Sequence, residues 1–375
     1  MIKRTLKRMV IGLVSIVVLL FVIGFLFINL SSQFGGKATS EQELKYATYK
    51  NYKEGKFVNE KRINMDMGFG DMVNVIRKMF NPNSGTRPQK NIVVHKLDST
   101  NVADYNSRTR LIWFGHSAFL LQMNHKNILI DPMFGTVPAP HPWLGAKRFS
   151  KELPIEIEKL PQIDAVIISH DHYDHLDYES IQRLKDKVGK FFVPLGVGAH
   201  LQEWGIEKER IVELNWWEEV AFDDLVFRST PAQHFSGRGL NDRMKTLWSS
   251  WIIESEVEKV FFSGDSGYAS HFKEIGEKYG PFDFAMIECG QYNELWPDVH
   301  MFPEETAQAG LDLKAKKMMP IHWGAFKLST HRWTDPVERV SKKAEELNIE
   351  LITPKIGEPI DLIETQSTFL EWWKD

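Results

Sequence analysis

The residues with the clearest chemical potential form the segment Ser169–Asp177, which reads S-H-D-H-Y-D-H-L-D. Within it, His170, His172, Asp174 and His175 make the pattern H-x-H-x-D-H. Borderline cations such as zinc take imidazole nitrogens and carboxylate oxygens as ligands, so these side chains brought to one point would hold a metal ion. A lone histidine is more often a solvated loop residue, but four ligand-type residues at this spacing favour a metal site.

The elements around this motif predict how it is positioned. The apolar, β-branched run at 165–168 indicates a buried strand that ends at the motif, and open sheets build their sites at such strand ends. Three further candidate ligands also follow predicted strands, namely His234, Asp265 and His322. Each of these alone is equally well explained as a structural residue. Together with the first motif they supply five histidines and two aspartates, which is enough for two metal ions.

Length and composition describe a globular chain. Its 375 residues are enough for one large domain or two ordinary ones, and 43% of them are hydrophobic. The formal net charge is only −4 and there is no long basic run, so we expect no nucleic acid among the partners. Cys289 is the single cysteine, which excludes an intrachain disulfide.

The N-terminal sequence predicts a membrane anchor. Four basic residues within 1–8 precede an uncharged stretch of 22 residues at 9–30, which is long enough to span a hydrocarbon core of ~30 Å. The competing interpretation is a cleaved signal peptide, but the apolar region of such a peptide is usually ~7–15 residues and ends in small residues. The positive-inside rule leaves residues 1–8 in the cytoplasm. We therefore expect a single-pass protein of the cell membrane with its catalytic domain outside the cytoplasm.

Residues 31–90 form a polar lead-in segment that includes one predicted amphipathic helix. Apolar side chains recur there at helical spacing: Met72, Val73, Val75, Ile76, Met79 and Phe80. Two interpretations stay open for this helix, packing on the domain or contact with lipid near the anchor. Residues 91–375 are predicted to form one catalytic domain, because they contain many short strands and no linker divides them.

The ligand pattern resembles that of the metallo-β-lactamase superfamily, in which H-x-H-x-D-H is followed by a single histidine, an aspartate in a glycine-rich turn and a late histidine. Parts of the chain are also similar to the N-acyl-phosphatidylethanolamine-hydrolysing phospholipase D branch and its bacterial relatives. They are W-F-G-H-S at 113–117, I-D-P-M-F at 130–134, E-C-G at 288–290, His300 with P-E-E at 303–305, and I-H-W-G at 321–324. The likeness implies an α/β fold, an αβ/βα four-layer sandwich with its site along one edge. The apolar span at 9–30 would precede this sandwich as one transmembrane helix.

The resemblance implies a role for each candidate ligand. The ligands of a first metal ion are matched by His170, His172 and His234. Those of a second ion are matched by Asp174, His175 and His322, and Asp265 matches the carboxylate that bridges the two. The expected cofactors are therefore two divalent metal ions, with Zn2+ as the expected element.

Three residues are predicted to act on the substrate: Asp174, His300 and Tyr173. Asp174 can position the nucleophile or pass its proton to the leaving group, whereas contacts of the other two with a phosphate are implied by the resemblance. His300 is equally well explained as a core histidine. Residues behind the ligands must hold the imidazoles in place through hydrogen bonds, and the candidates are Asp171, Asp177 and Ser266; the two carboxylates could equally be solvated.

Two metal ions would share a water and hold it as a hydroxide nucleophile. The expected function is a membrane-anchored phosphodiesterase of the phospholipase D type that acts on phospholipids or N-acyl phospholipids. A hydrolase of another bond, such as a lactone or a cyclic phosphodiester, is the main alternative because this fold supports many chemistries. A metal-binding surface protein without catalysis is a third, which the complete ligand set disfavours. The expected partners are a lipid or other phosphodiester substrate and the membrane, and the oligomeric state is left open.

Overall fold

The computed structural model describes residues 2–65, 67–79, 81, 85–105, 108–362 and 371–374. The α-helices are α1 (Ile2–Leu30), α2 (Ser40–Tyr46), α3 (Phe69–Met79), α4 (Ser99–Ala103), α5 (Tyr178–Leu184), α6 (Gly198–Glu203), α7 (His271–Lys278), α8 (Pro303–Asp312) and α9 (Asp335–Leu347). The strands are β1 (Tyr52–Lys53), β2 (Lys56–Phe57), β3 (Arg110–Trp113), β4 (Phe119–Met123), β5 (Lys126–Ile130), β6 (Ile163–Ile167), β7 (Val188–Pro194), β8 (Ile211–Leu214), β9 (Glu219–Phe222), β10 (Leu225–Thr230), β11 (Ser250–Glu254), β12 (Lys259–Phe262), β13 (Phe284–Glu288), β14 (Lys317–Ile321), β15 (Glu350–Leu351) and β16 (Pro359–Asp361).

Within these residues the strands form two seven-stranded sheets and the short hairpin β1–β2. The first sheet has the order β16-β3-β4-β5-β6-β7-β8, and the second has the order β15-β14-β13-β12-β11-β10-β9. A short turn joins the antiparallel strands β4 and β5, whereas α5 lies in the connection between the parallel strands β6 and β7. The strand predicted at 165–168 corresponds to β6, with ends that differ by up to two residues.

The alternation of side chains along the strands explains why the two sheets pack face to face. On β3, Leu111 and Trp113 belong to the core between the sheets, together with Phe227 of β10, while Ile112 points to the opposite face. α5 and α6 cover the outer face of the first sheet, and α7, α8 and α9 cover that of the second. The predicted αβ/βα four-layer sandwich is confirmed.

One edge of each sheet collects the carboxyl ends of strands that run in the same direction. In the first sheet, β3, β5 and β6 end there, because β4 is antiparallel to both of its neighbours. In the second sheet, β10, β12, β13 and β14 end together for the same reason, with β11 as the antiparallel strand. The loops after these strands carry the predicted ligands, so the topology brings residues distant in sequence to one site.

The N-terminal helix α1 has 29 residues and, at 1.5 Å per residue, is about 43 Å long. Among the described residues it is the one helix that is long and apolar enough to cross a membrane, and it is not buried against the rest of the chain. Its apolar part coincides with the span predicted at 9–30. The crossing of a membrane itself stays a prediction.

The segment after α1 packs on the two-sheet domain well before residue 91. Tyr46 and Phe57 are fully buried in an apolar cluster with Trp216 and Trp248. Farther along, the side chain of Asn59 donates to the carbonyl of His234 at 2.7 Å and accepts from its backbone N–H at 3.1 Å. Part of the lead-in segment therefore belongs to the folded unit that carries the site.

The predicted amphipathic helix is present as α3. Met72, Val73 and Ile76 are exposed, so its apolar face does not pack on the described part of the domain. Of the two interpretations of this helix, packing on the domain is wrong, and contact with lipid stays a prediction. Phe80, the last residue of the predicted stripe, lies outside the described residues.

Candidate metal centre

The first group of predicted ligands comes from loops of both sheets. His170 and His172 follow β6, His234 follows β10 and Asp265 follows β12, and their ligand atoms lie within 4.8 Å of one another. The Nδ1 of His172 is 2.9 Å from the Nε2 of His170 and 3.3 Å from that of His234. The Oδ2 of Asp265 is 3.9 Å from the Nε2 of His170 and 3.7 Å from that of His234.

The second group shares Asp265 with the first and adds Asp174, His175 and His322. Oδ1 of Asp265 lies 3.1 Å from Nε2 of His175, and Oδ2 lies 3.2 Å from Nε2 of His322. Oδ2 of Asp174 is 3.5 Å from the same nitrogen of His175 and 3.2 Å from that of His322. The structure thus brings all seven predicted ligands together, with Asp265 between the two groups.

These separations fit the ligand shells of metal ions. Bonds of ~2.1 Å in a tetrahedron put neighbouring ligand atoms roughly 3.4 Å apart, and the separations here run from 2.9 to 3.9 Å. Two buried atoms, Nε2 of His175 and Oδ1 of Asp265, make no hydrogen bond within the described residues although they lie 3.1 Å apart. Buried polar atoms are normally paired, so a cation in contact with both atoms explains this arrangement.

The carboxylates of the site are held in their charged form. Burial opposes the charge of Asp265, but the imidazoles of His175 and His322 hold the pKa of this carboxyl well below its ordinary value. Burial also opposes the charge of Asp174, and its pKa is held well below the ordinary value by His175 and by hydrogen bonds from His116 and His322. The ionised carboxylate is the form that binds a metal ion.

The imidazoles of the site fall into two classes. Burial lowers the pKa of three of them, and their neutral rings can offer lone pairs to a metal: His170, His172 and His234. Burial acts in the same direction on the other two, but nearby carboxylates, Asp265 foremost, raise the pKa of His175 well above its ordinary value and that of His322 to about 10. Protons on these two rings offset the carboxylate charge in the metal-free protein, and metal ions would replace them.

Residues 126–323 match the family model described as the β-lactamase superfamily domain, and this stretch contains every predicted ligand. The chain belongs to the β-lactamase superfamily. An uncharacterised protein of Mycobacterium tuberculosis is 38% identical to it over 344 residues, which cover 90% of this chain and 89% of the relative. The N-acyl-phosphatidylethanolamine-hydrolysing phospholipase D 1 of Caenorhabditis elegans is 32% identical over 68% of this chain and 77% of the relative.

The fold of the superfamily is also found among solved structures. The structure of a possible metal-dependent hydrolase from Veillonella parvula aligns with a TM-score of 0.55 and 19% identity, over 68% of this chain and 100% of that one. The resemblance predicted from the sequence is confirmed, and the chain is an enzyme, a metal-dependent hydrolase of this superfamily. The number and the element of its metal ions stay predictions.

The buried carboxylates of Asp131 and Glu288 orient imidazoles of the site. Neither residue was assigned to the site from the sequence. Asp131, directly after β5, accepts hydrogen bonds from Nδ1 of His175 at 2.6 Å and from the backbone N–H of Ser169 at 2.7 Å. Glu288, at the end of β13, accepts from Nδ1 of His300 at 3.0 Å and lies 3.5 Å from Nδ1 of His322. Such carboxylate–imidazole pairs fix the orientation of metal-binding rings.

His116 also belongs to the site, although no role was predicted for it from the sequence. It follows β3 in a left-handed conformation, with φ of 58°, and its Nε2 lies 2.9 Å from Oδ2 of Asp174. Burial and the neighbouring His322 lower the pKa of His116 to about 3, so the ring is neutral and donates one N–H to the carboxylate. The signal that could have found His116, Asp131 and Glu288 is their common place after strands whose carboxyl ends lie at the site edge of a sheet.

Of the residues predicted to act on the substrate, Asp174 and His300 are brought to the centre. Their side chains are each 13% exposed, and the ring of His300 stacks on that of His322 with centroids 5.2 Å apart. Tyr173 donates its hydroxyl to the carbonyl of Arg238 at 2.6 Å, and burial raises the pKa of this hydroxyl to about 12. This contact supports a structural part for Tyr173, whose catalytic role stays a prediction.

The three predicted supporting residues have different surroundings. Asp171 is buried, and it accepts the backbone N–H of Gly237 at 2.8 Å, so the expectation of a solvated carboxylate is wrong for it. Asp177 caps the N-terminus of α5. The hydroxyl of Ser266 accepts the backbone N–H of Gln233 at 2.9 Å and so fixes the loop of the neighbouring ligand.

Proposed function

We propose that this chain is a membrane-anchored phosphodiesterase of the phospholipase D type, which hydrolyses phospholipids or N-acyl phospholipids at a centre of two Zn2+ ions. The residues that would hold the ions are His170, His172 and His234 for the first, Asp174, His175 and His322 for the second, and Asp265 for both. The hydrolase relative from Caenorhabditis elegans supports this substrate class, because its name states that it acts on N-acyl-phosphatidylethanolamine.

The observation that carries this proposal is the contact between the end of α1 and the ligand loop. The carbonyl of Gln33, three residues after α1, accepts hydrogen bonds from Nε and Nη2 of Arg238 at 2.9 and 2.7 Å. The same guanidinium donates through Nη1 to the carbonyls of Asp171 and Leu176 at 2.6 and 2.7 Å, on either side of the ligands His172–His175. An α1 that crosses the membrane therefore holds the centre beside the bilayer, where phospholipid head groups lie.

Two further contacts make this connection rigid rather than a loose tether. The indole Nε1 of Trp204 donates to the carbonyl of Ser32 at 2.7 Å. The ring of Phe34 meets that of Tyr173 edge to face, with centroids 6.4 Å apart. Tyr173 lies within the ligand loop, so the residues directly after the anchor are fixed to the loop that would bind the metals.

A cationic group at the edge of the centre favours an anionic substrate over a lactone. The ring of Phe235 contacts that of His172 at 4.7 Å between centroids. The exposed guanidinium of Arg243 lies over the face of Phe235, 4.4 Å from its centroid. A planar guanidinium is well suited to phosphate oxygens, so Arg243 stands where it can attract a phosphodiester.

When bound, the two ions would polarise the phosphoryl group and activate the water that attacks it. The chain supplies the proton transfers and the orientation of the substrate. Asp174, held by His116, lies on the exposed side of the centre, where its carboxylate can take the proton of the attacking water and pass it to the leaving oxygen. Nδ1 of His300 donates to Glu288, and in the imidazolium form of this ring Nε2–H would donate to a phosphoryl oxygen. Water thus adds across the bond between phosphorus and the head-group oxygen, giving phosphatidic acid and the free alcohol.

The reaction can be tested on the full-length chain in vesicles that contain phosphatidylethanolamine and its N-acyl derivative. We expect mass spectrometry to find phosphatidic acid with ethanolamine or an N-acylethanolamine, and we expect a chelator to stop the reaction and added zinc to restore it. His300→Ala should lower the rate on either lipid by ~10²–10⁴-fold while the metal content stays unchanged.

His95→Ala is the matched control, because His95 is exposed on the surface of the domain and its backbone N–H, which the substitution keeps, bonds to Ile356. It should leave the rate unchanged. If the chain hydrolyses a lactone or a cyclic phosphodiester and leaves the phospholipids intact, the alternative hydrolase replaces this proposal. Tight metal binding without turnover of any of these substrates would contradict catalysis altogether.

The proposed location is the cell membrane, with residues 1–8 in the cytoplasm and the catalytic domain outside. The basic residues before the apolar span support this orientation, because positively charged flanks stay in the cytoplasm. A protease added to intact cells should therefore remove the domain while a cytoplasmic marker stays whole. Protection of the domain until the cells are lysed would show the opposite orientation, and the lipid chemistry could still hold on the inner leaflet.

A further inference from the structure

We infer that the loop at residues 137–145, called the Trp143 loop here, is a rim of the active site that inserts into the interfacial layer of the bilayer. The inference rests on the proposed role of α1 as a membrane anchor, and it identifies the surface of the enzyme that faces the lipid. Its basis is the set of contacts that this loop makes with α1 itself.

The Trp143 loop touches α1 inside the apolar span. The ring of Phe27 lies 5.0 Å from that of His141 and 5.9 Å from that of Trp143, measured between centroids. His141 also lies 2.9 Å, through Nε2, from the hydroxyl of Ser31. Phe27 is three residues before the end of α1, which is about 4.5 Å along the helix axis. An anchor inserted through Leu30 therefore carries the tip of this loop to the depth of its own last turn.

The tip of the loop has the side chains of a membrane interface. Trp143 is 72% exposed and Leu144 is 47% exposed, side by side on the surface. Tryptophan concentrates at the boundary between lipid and water because its ring is apolar and its N–H is polar. Because α1 would hold this loop against the bilayer, lipid is available to cover these two side chains. Lipid is a more favourable environment for them than water.

The loop is built to keep this shape. Pro138, Pro140 and Pro142 each fix a backbone dihedral. The backbone N–H of Leu144 donates to the carbonyl of His141 at 2.9 Å, so the tip forms a closed turn. A loop already ordered before it meets the membrane loses little entropy on insertion.

The base of the loop is joined to the metal centre. Arg148, which is buried, donates to the carbonyls of Phe114 at 3.1 Å, Gly135 at 3.3 Å and Met133 at 2.5 Å. These carbonyls lie in the turns after β3 and β5, the turns that carry His116 and Asp131. Insertion of the tip would thus give the centre a second point of attachment to the membrane, in addition to α1.

A site-specific probe tests the insertion without reference to catalysis. Cys289 is fully buried, so in Trp143→Cys a thiol-reactive fluorophore will label position 143 alone. The labelled full-length chain is placed in phosphatidylethanolamine–phosphatidylglycerol vesicles that carry a nitroxide near the top of the acyl chain. We expect a blue-shifted emission that loses most of its intensity to this nitroxide.

Val257→Cys is the matched control. Val257 is 78% exposed and lies in the turn before β12, at the end of that strand opposite Asp265. Its probe should keep its emission. Equal quenching at the two positions, or none at position 143, would overturn the inference.

A second arm measures function. Leu144→Asp should lower turnover of bilayer lipid roughly tenfold, since it places a charge where a leucine would be buried, and should leave short-chain soluble phosphodiesters unaffected. Val257→Asp should change neither rate. Quenching at position 143 in a protein that hydrolyses no lipid would support insertion of the Trp143 loop and contradict the proposed lipid substrate. Hydrolysis of lipid without quenching at position 143 would support the substrate and contradict the insertion.

Discussion

Asp265→Asn is expected to lower the rate by several orders of magnitude and to weaken the binding of both metal ions. Asp265 is the residue that belongs to both ligand groups, with Oδ1 at 3.1 Å from His175 of the second group and Oδ2 at 3.7 Å from His234 of the first. The substitution removes one negative charge and replaces one of the two shared oxygens by an amide nitrogen, which cannot bind a cation. The loss should exceed the ~10–100-fold typical of residues that only orient a ligand. Elemental analysis and initial rates of the purified variant measure both effects.

The control for this prediction must change a carboxylate to an amide away from the centre. Asp283→Asn meets this need, because Asp283 accepts the backbone N–H of Lys259 at 2.8 Å and pairs with Lys316 at 2.8 Å, at the opposite end of β13 from Glu288. It should keep full activity and metal content, at a cost in stability of about 1 kcal/mol or less. Equal losses for Asp265→Asn and Asp283→Asn would show that the bridging assignment is wrong.

The ligands could be predicted from the sequence because residue type and strand position agree. At His170–His175 the density of ligand-type residues is enough by itself. At His234, Asp265 and His322, a single polar residue follows an apolar run, and the sheet topology explains why such residues meet. The same rule applies to Asp131 and Glu288. A single acid in an apolar stretch is equally typical of a structural hydrogen bond, however, so residue type alone could not show that these two belong to the site.

Other features depend on contacts that leave no mark in a local pattern. The burial of Tyr46 and Phe57 against Trp216 joins segments about 160 residues apart, so composition alone described the lead-in only as polar. The exposed face of α3 is the opposite case. Its helical spacing correctly predicted the helix, but periodicity shows only that one face is apolar, and not which surface covers it. The link from Gln33 through Arg238 to the ligand loop likewise follows from the fold, since nothing near either residue indicates it.

Metal binding to the purified protein is expected to strengthen by tenfold or more for each pH unit between about pH 6 and pH 8. Without metal, burial alone would lower the pKa of His322, but Asp265, Asp174 and Glu288 raise it to about 10. The pKa of His175 is also raised well above its ordinary value, despite burial, by Asp265, Asp174 and Asp131. Both rings therefore carry protons in this range that a metal ion must displace.

The sign of the effect follows from these shifts. A raised pKa stabilises the metal-free fold below the ordinary pKa of histidine, near 6.5, and this contribution is lost as the pH rises through about 10. The metal-bound state has no such proton to lose, so acid favours release of the ions and alkali favours their binding. Titration calorimetry with zinc in buffers of different ionisation enthalpy should find at least one proton released per chain.

The identity of the proton-bearing ring can be tested with the carboxylate behind it. Glu288→Gln removes a charge 3.5 Å from Nδ1 of His322 without replacing a predicted metal ligand. The pKa of His322 should fall, so fewer protons should be released at about pH 8 and the slope of affinity against pH should become shallower. Asp283→Asn should keep the slope of the unsubstituted chain. An affinity that is independent of pH in the unsubstituted protein would mean that the two rings are neutral without metal, and that the carboxylates of the centre are compensated in another way.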